Sequence, residues 1–167
     1  MITIVAGTNR LSSNTLKLAH VYQQLLNQMG KESQILSLEG INVLNRDSHF
    51  EEIENKFIIP IQHFIFIVPE YNGSFPGILK AFIDTTRSHD IWYHKKALLT
   101  GDSSGRAGNL RGMDHLADIL NFLKITVHPN KLPISQINKL MSPLGQIEDE
   151  ATLKAIQLQV EEFLNWL

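Results

Sequence analysis

Five times along this chain a short apolar run rich in β-branched residues gives way to a longer segment whose apolar residues return every three or four positions. The runs lie at 2–6, 33–38, 63–68, 96–100 and 125–127, and HFIFIV at 63–68 carries the strongest strand signal. Runs this short, bounded by polar or glycine-containing turns, predict strands buried on both faces. Leu18, Ala19, Tyr22, Leu25, Leu26 and Met29 predict a helix over 15–29, which Gly30 stops. A second helix is expected within 51–62, ended or kinked by Pro60. Pro76 sits in the first turn of a third, which carries Ile78, Leu79, Phe82 and Ile83. Met113, Leu116, Ala117, Leu120 and Leu123 share one face of a fourth, and 148–167 forms the last. Strands that alternate with helices pair in parallel, and their crossovers are right-handed. Five such units suit an open three-layer α/β sheet of order 2-1-3-4-5, whereas a closed eight-unit barrel needs about 250 residues. No linker or repeat interrupts the pattern, so 1–167 reads as a single domain whose loosest parts are 39–50 and 129–147.

Composition removes several functions. The chain has no cysteine, so disulfides and thiolate metal sites are excluded. Fifteen basic and 17 acidic residues give a charge of -2 with no basic block, which argues against a nucleic-acid binder. The opening apolar run is too short for a leader core, and no stretch approaches the ~20 apolar residues that span a bilayer. The expectation is a cytoplasmic protein that engages neither membrane nor nucleic acid. The seven histidines are scattered without metal-ligand spacing, so no metal site is expected.

In an open parallel sheet, ligands bind beyond the carboxyl ends of the strands, where strand order reverses. The loops after strands one, three and four, GTNRLSSN (7–14), PEYNGS (69–74) and GDSSGRAGN (101–109), meet there. They are also the loops richest in Gly, Ser, Asn and Thr. In the first, Thr8, Ser12, Ser13, Asn14 and Thr15 offer hydroxyl and amide groups, Arg10 a cation, and the following helix its free N–H groups. That set fits an anion cradle, and it equally fits a helix cap. Neither GxxxxGK[ST] nor GxGxxG occurs, so a phosphate monoester is expected rather than a triphosphate or a dinucleotide. In the second loop, Glu70 and Tyr71 leave an apolar strand and Asn72-Gly73 makes a turn. An exposed ring beside backbone amides suits a flat heteroaromatic ligand. In the third loop, Gly101, Gly105 and Gly108 let backbone come close to a ligand. GDSS lacks the oriented histidine of a serine hydrolase. The acidic cluster of a phosphorelay receiver is replaced by Gly7-Thr8-Asn9 and Pro69-Glu70.

PEYNGSFPGILKAFID (69–84) resembles the central motif of the NAD(P)H-dependent FMN reductase family, within the flavodoxin-like fold. GTNRLSSNTLKLA (7–19) is similar to that family's phosphate loop, and SSGRAGNLRGMDHLADIL (103–120) to its third loop and following helix. The resemblance implies a three-layer flavodoxin-like sandwich with a five-stranded parallel sheet and a bound FMN. NADPH or NADH would reduce the flavin, and electrons would pass to a small acceptor: free flavin, quinone, azo or nitro compound, or metal oxyanion. It implies that Thr8, Arg10, Ser12, Asn14 and Thr15 hold the FMN phosphate. Pro69, Glu70, Tyr71, Asn72 and Gly73 would border the isoalloxazine, and Ser103, Ser104, Gly105 and Gly108 would flank its other side and the ribityl chain. A homodimer or homotetramer with subunit surfaces beside the flavin is implied as well. The chain departs from the family at Asn109, where a second glycine is common. Flavin carries the hydride chemistry, so no catalytic residue of the protein's own is expected. The alternatives are a flavodoxin-type electron carrier, disfavoured by the weak net charge, and a flavin-binding module without activity.

Overall fold

The computed structural model describes residues 1–167. Strands β1 (Ile2–Ala6), β2 (Ser33–Ser37), β3 (His63–Pro69), β4 (Lys96–Asp102) and β5 (Thr126–Val127) form a parallel sheet of order β2-β1-β3-β4-β5. The expected order is therefore the observed one. The fifth lane is shared, however, because β6 (Leu132–Ile134) also pairs with β4. β5 lies against Lys96 and Ala97 at one end of β4, and β6 against Thr100, Gly101 and Asp102 at the other. Residues 128–131, with Pro129 among them, carry the chain between the two.

Alternation along β3 sorts its apolar run into two cores. Phe64, Phe66 and Val68 point to one face, where they meet Phe50, Phe82, Trp92, Leu116 and Leu120. Ile65 and Ile67 point to the other, against Leu18, Tyr22, Leu26, Val160 and Phe163. The helices α2 (Ser48–Ile53), α3 (Gly77–Thr85) and α4 (Leu110–Phe122) therefore cover one side, and α1 (Asn14–Gln28) and α6 (Glu150–Trp166) the other. A strand covered on both faces is filled chiefly by apolar side chains, which is why β1, β3 and β4 read as largely hydrophobic runs.

The helix expected within 51–62 starts earlier, where the Asp47 side chain accepts from Phe50 N. It then widens into a π-helical turn at Glu54–Ile58. The carbonyls left at the end of that turn are met by Lys95, 3% exposed, whose Nζ donates to Ile58 O, Ile59 O and Ile61 O. Across the sheet, Gln159 of α6 accepts from Tyr22 of α1 at 2.6 Å and from Thr100 of β4 at 3.0 Å. Its Nε2 donates to Leu99 O and Asn130 O. This buried polar knot joins two helices to the sheet below the site. On α3, Asp84 pairs with Lys80 one helical turn earlier.

Candidate functional site

The first loop leaves β1 at Gly7, whose N–H donates to Ile67 O of β3 at 2.8 Å. A Cβ at Gly7 would lie 2.8 Å from the Val68 side chain, so only glycine lets the loop pass this close to β3. Thr8 is buried, and its hydroxyl lies 2.7 Å from the Tyr71 hydroxyl. The Arg10 guanidinium lies over the Tyr71 ring, 4.1 Å from its centroid. Ser12 adopts φ 52°, and its N–H donates to Glu39. The residue that caps α1 is Ser13, whose hydroxyl accepts from Leu16 N at 3.1 Å. The Asn14 and Thr15 N–H groups have no protein acceptor, so the first turn of α1 presents free donors at its positive end.

The second and third loops are laced together. Tyr71 and Ser74 exchange backbone hydrogen bonds around Asn72 and Gly73, both at positive φ, which makes a tight two-residue turn. Glu70 N donates to Asp102 O, and Asn109 N to Glu70 Oε2. Asn109 is fully buried in the left-handed region, and its Nδ2 donates to Val68 O and Pro69 O at 3.0 Å each. Asparagine at this position thus holds the end of β3 rather than opening space for a ligand. Ser103 closes the third loop, donating to Gly105 O and accepting from Gly108 N. Gln136 N and Ile137 N reach back to Gly105 O and Ser103 O, so β6 and the short helix α5 (Ile137–Leu140) brace this loop from outside.

A cleft of about 320 Å³ lies where the three loops meet. Of the residues named from sequence, Arg10, Ser13, Asn14, Thr15, Pro69, Glu70, Tyr71, Ser103 and Ser104 line it. Asn72, Gly73 and Gly105 line an adjoining hollow of about 440 Å³, together with Arg106. Thr8, Ser12 and Gly108 line neither, and act on the loops' own conformation. Sequence reasoning does not single out Leu11 or Asp102 within the first and third loops, and does not bring Ile137 or Asn138 to the cleft at all. In sequence Ser13 reads as one donor among several, although its place just before the helical run marks it as the cap. A larger hollow, about 710 Å³, lies at the far ends of α3 and α4 beside Arg87, Phe122 and Leu123, away from these loops.

The donors at the cleft fit a phosphate ester: free amides, a positive helix end, hydroxyls and one guanidinium. The turn fits a flat polar ring, because the Asn72 and Gly73 N–H groups carry no protein hydrogen bond. The Glu70 and Tyr71 N–H groups are already spent within the protein. One group runs against the pattern. Asp102 is 4% exposed at the end of β4, and its carboxyl accepts from Thr15 Oγ1 at 3.0 and 3.3 Å. Burial pushes that carboxyl up to about 6, only partly offset by the Thr15 hydrogen bond.

The comparisons with known proteins agree with the geometry. Residues 1–139 match the NADPH-dependent FMN reductase family. An NAD(P)H-dependent FMN reductase of Pseudomonas aeruginosa is 30% identical, covering 83% of this chain and 80% of its own length. A 2-hydroxy-1,4-benzoquinone reductase of a Burkholderia species is 25% identical, covering 99% of this chain and 95% of its own. In fold, the flavoenzyme NAD(P)H:(acceptor) oxidoreductase FerB of Paracoccus denitrificans superposes with a TM-score of 0.84 at 24% identity, covering 99% of this chain and 95% of that one. With the matched region running from β1 through α5 and taking in all three loops, the chain belongs to the NADPH-dependent FMN reductase family, oxidoreductases whose cofactors are FMN and NAD(P)H.

Proposed function

We propose that this protein holds FMN across the cleft between β1 and β3, takes reducing equivalents from NADPH or NADH, and delivers them to a small acceptor. The observation that carries the reading is the convergence of free α1 amides and Arg10 on a cleft at the sheet's switch point, with the Asn72-Gly73 turn on the hollow that adjoins it. Arg10, the α1 amides, those of Asn14 and Thr15 included, and the Ser13 hydroxyl hold the phosphate. Glu70 and Tyr71 wall the ring site, and Ser103, Ser104 and Gly105 border the remainder. Bound FMN supplies the hydride-accepting ring, so the protein's own part is positioning and electrostatics. The Asn72 and Gly73 N–H groups stabilise negative charge that develops beside them, as fixed amides do at an oxyanion. Arg10 changes partner on binding, leaving the Tyr71 face for the phosphate.

The acceptor class proposed is a quinone or free flavin, with azo and nitro compounds and metal oxyanions as further candidates. The quinone reductase and FMN reductase relatives support the first two. Self-association into a homodimer or homotetramer is part of the proposal. An exposed Phe122 beside Ile119 and Leu123 on α4 supports it. The test is NADPH and NADH oxidation by the FMN-loaded protein with each acceptor class in turn. Turnover with a quinone or free flavin is expected. Tight FMN binding without donor consumption under any condition would assign a binding module instead.

A further inference from the structure

Two carboxylates stand at a cleft whose other features attract anions, and one of them is almost wholly buried. Asp102 ends β4 with its carboxyl facing the first turn of α1, and its side-chain partner is Thr15. Asn14 and Thr15 also supply the free helix-end amides. An anion seated on those amides therefore lies close to the Asp102 carboxyl, which is itself 4% exposed. The Asp102 carboxyl itself has no cation partner; its side-chain bonds are to Thr15, while Arg10 lines the cleft and Arg106 the adjoining hollow. From the loop before α1 comes Arg10, drawn to the Tyr71 ring. From the loop after β3 come Glu70, its Oε2 turned to Asn109 N, and Tyr71 itself. α5 contributes only Ile137 and Asn138, and the third loop Ser103 and Ser104. Lys17 of α1 packs instead against Gly145.

A dianionic phosphate beside an ionised carboxylate repels it, and a like charge next to a buried carboxyl favours the neutral acid. We propose that Asp102 links FMN binding to protonation: the carboxyl is neutral when the phosphate is seated and donates its hydrogen to a phosphate oxygen, and its ionisation loosens the cofactor. The inference rests on the FMN reading above. It goes further in assigning a pH-dependent grip to one residue. Thr15 keeps its bond to the other carboxyl oxygen in both states, so the carboxyl turns no further than the proton requires. Burial alone already holds Asp102 toward neutrality before any ligand arrives. The phosphate shifts it further, so the bound carboxyl ionises well above the free one.

Calorimetric titration with FMN at pH 7.5, in two buffers of different ionisation heat, counts the protons taken up. Close to one proton per FMN is expected for the parent protein, with affinity falling by up to tenfold per pH unit between about 6 and 8. Asp102→Asn should take up no proton beyond what the phosphate itself requires, and should bind FMN at least tenfold more tightly than the parent at pH 7.5. Glu70→Gln should keep the proton uptake. Riboflavin, which lacks the phosphate, should bind both Asp102 forms without uptake. Proton uptake that persists in Asp102→Asn, or FMN binding by the parent with none, overturns the proposal while leaving FMN binding intact. Absence of FMN binding at every pH overturns the FMN reading and this one with it. If Asp102→Asn does not fold, the proton count and pH profile of the parent and of Glu70→Gln decide alone.

Discussion

Arg10 has two partners within reach, the Tyr71 ring it covers now and a phosphate at the α1 amides. Removing it deletes a charge-assisted hydrogen bond to the phosphate, worth about 1.5–3 kcal/mol. Arg10→Ala should therefore weaken FMN roughly tenfold to a hundredfold with little loss of thermal stability, read by fluorescence titration and a melting curve. Unchanged affinity would remove Arg10 from the phosphate site. Residue type and position are enough to make Arg10, Thr15 and Tyr71 legible in the sequence. The cap is harder to read: three adjacent polar residues, Ser12, Ser13 and Asn14, differ in backbone geometry and not in chemistry. φ 52° turns Ser12 outward, while Ser13 caps the helix. Asp102 lies within the third loop that topology brings to the cleft, but sequence does not mark its carboxyl as buried there, because an aspartate after an apolar strand looks like the start of any polar loop.

At the scale of elements, the close fit of the third loop is a glycine effect. A Cβ at Gly101 would stand 2.2 Å from Gly108 O, within backbone that Ser103 and Ile134 already hold. Gly101→Ala must displace the loop, and a cost of about 2–4 kcal/mol with weakened FMN is expected from overpacking and lost hydrogen bonds. Denaturant unfolding and FMN titration measure the two effects separately. Gln159→Leu removes the acceptor shared by the Tyr22 and Thr100 hydroxyls, leaving them only each other, and the donor to the Leu99 and Asn130 carbonyls. It should cost about 2–4 kcal/mol and leave FMN affinity nearly unchanged, since the knot lies below the cleft. Strands β1, β3 and β4 are readable because burial on two faces favours largely apolar runs. β5 matches the short run expected at 125–127, but β6 is not separable from loop: three residues with Pro133 among them carry too little pattern. An edge position tolerates that proline. The π-helical turn depends on Lys95, far along the chain, and no local signal announces such a partner.

For the molecule as a whole, the carboxyl of Asp102 connects stability to pH. Its folded value of about 6 lies above its ordinary 3.8, so the folded state favours the neutral acid. That contribution is fully present below about pH 4 and is lost as pH rises through 6, a swing of about 3 kcal/mol. Without FMN, Asp102→Asn should melt several degrees higher than the parent at pH 7.5, and the difference should vanish near pH 4. The global architecture is the most legible level, because alternation of strand and helix leaves one economical way to cover both faces of a parallel sheet. The three loops follow from topology, since the switch point lies between β1 and β3 whatever their side chains. The bracing of the third loop by β6 and α5 does not, because it depends on a segment with no periodicity. The most direct measurement is the stoichiometry and site of FMN binding: titration of the apoprotein followed by a crystal structure of the loaded form. One FMN per chain is predicted, with its phosphate on the Asn14 and Thr15 amides and its ring beside Asn72 and Gly73. FMN bound elsewhere, or a cleft that stays empty at saturating FMN, would contradict it.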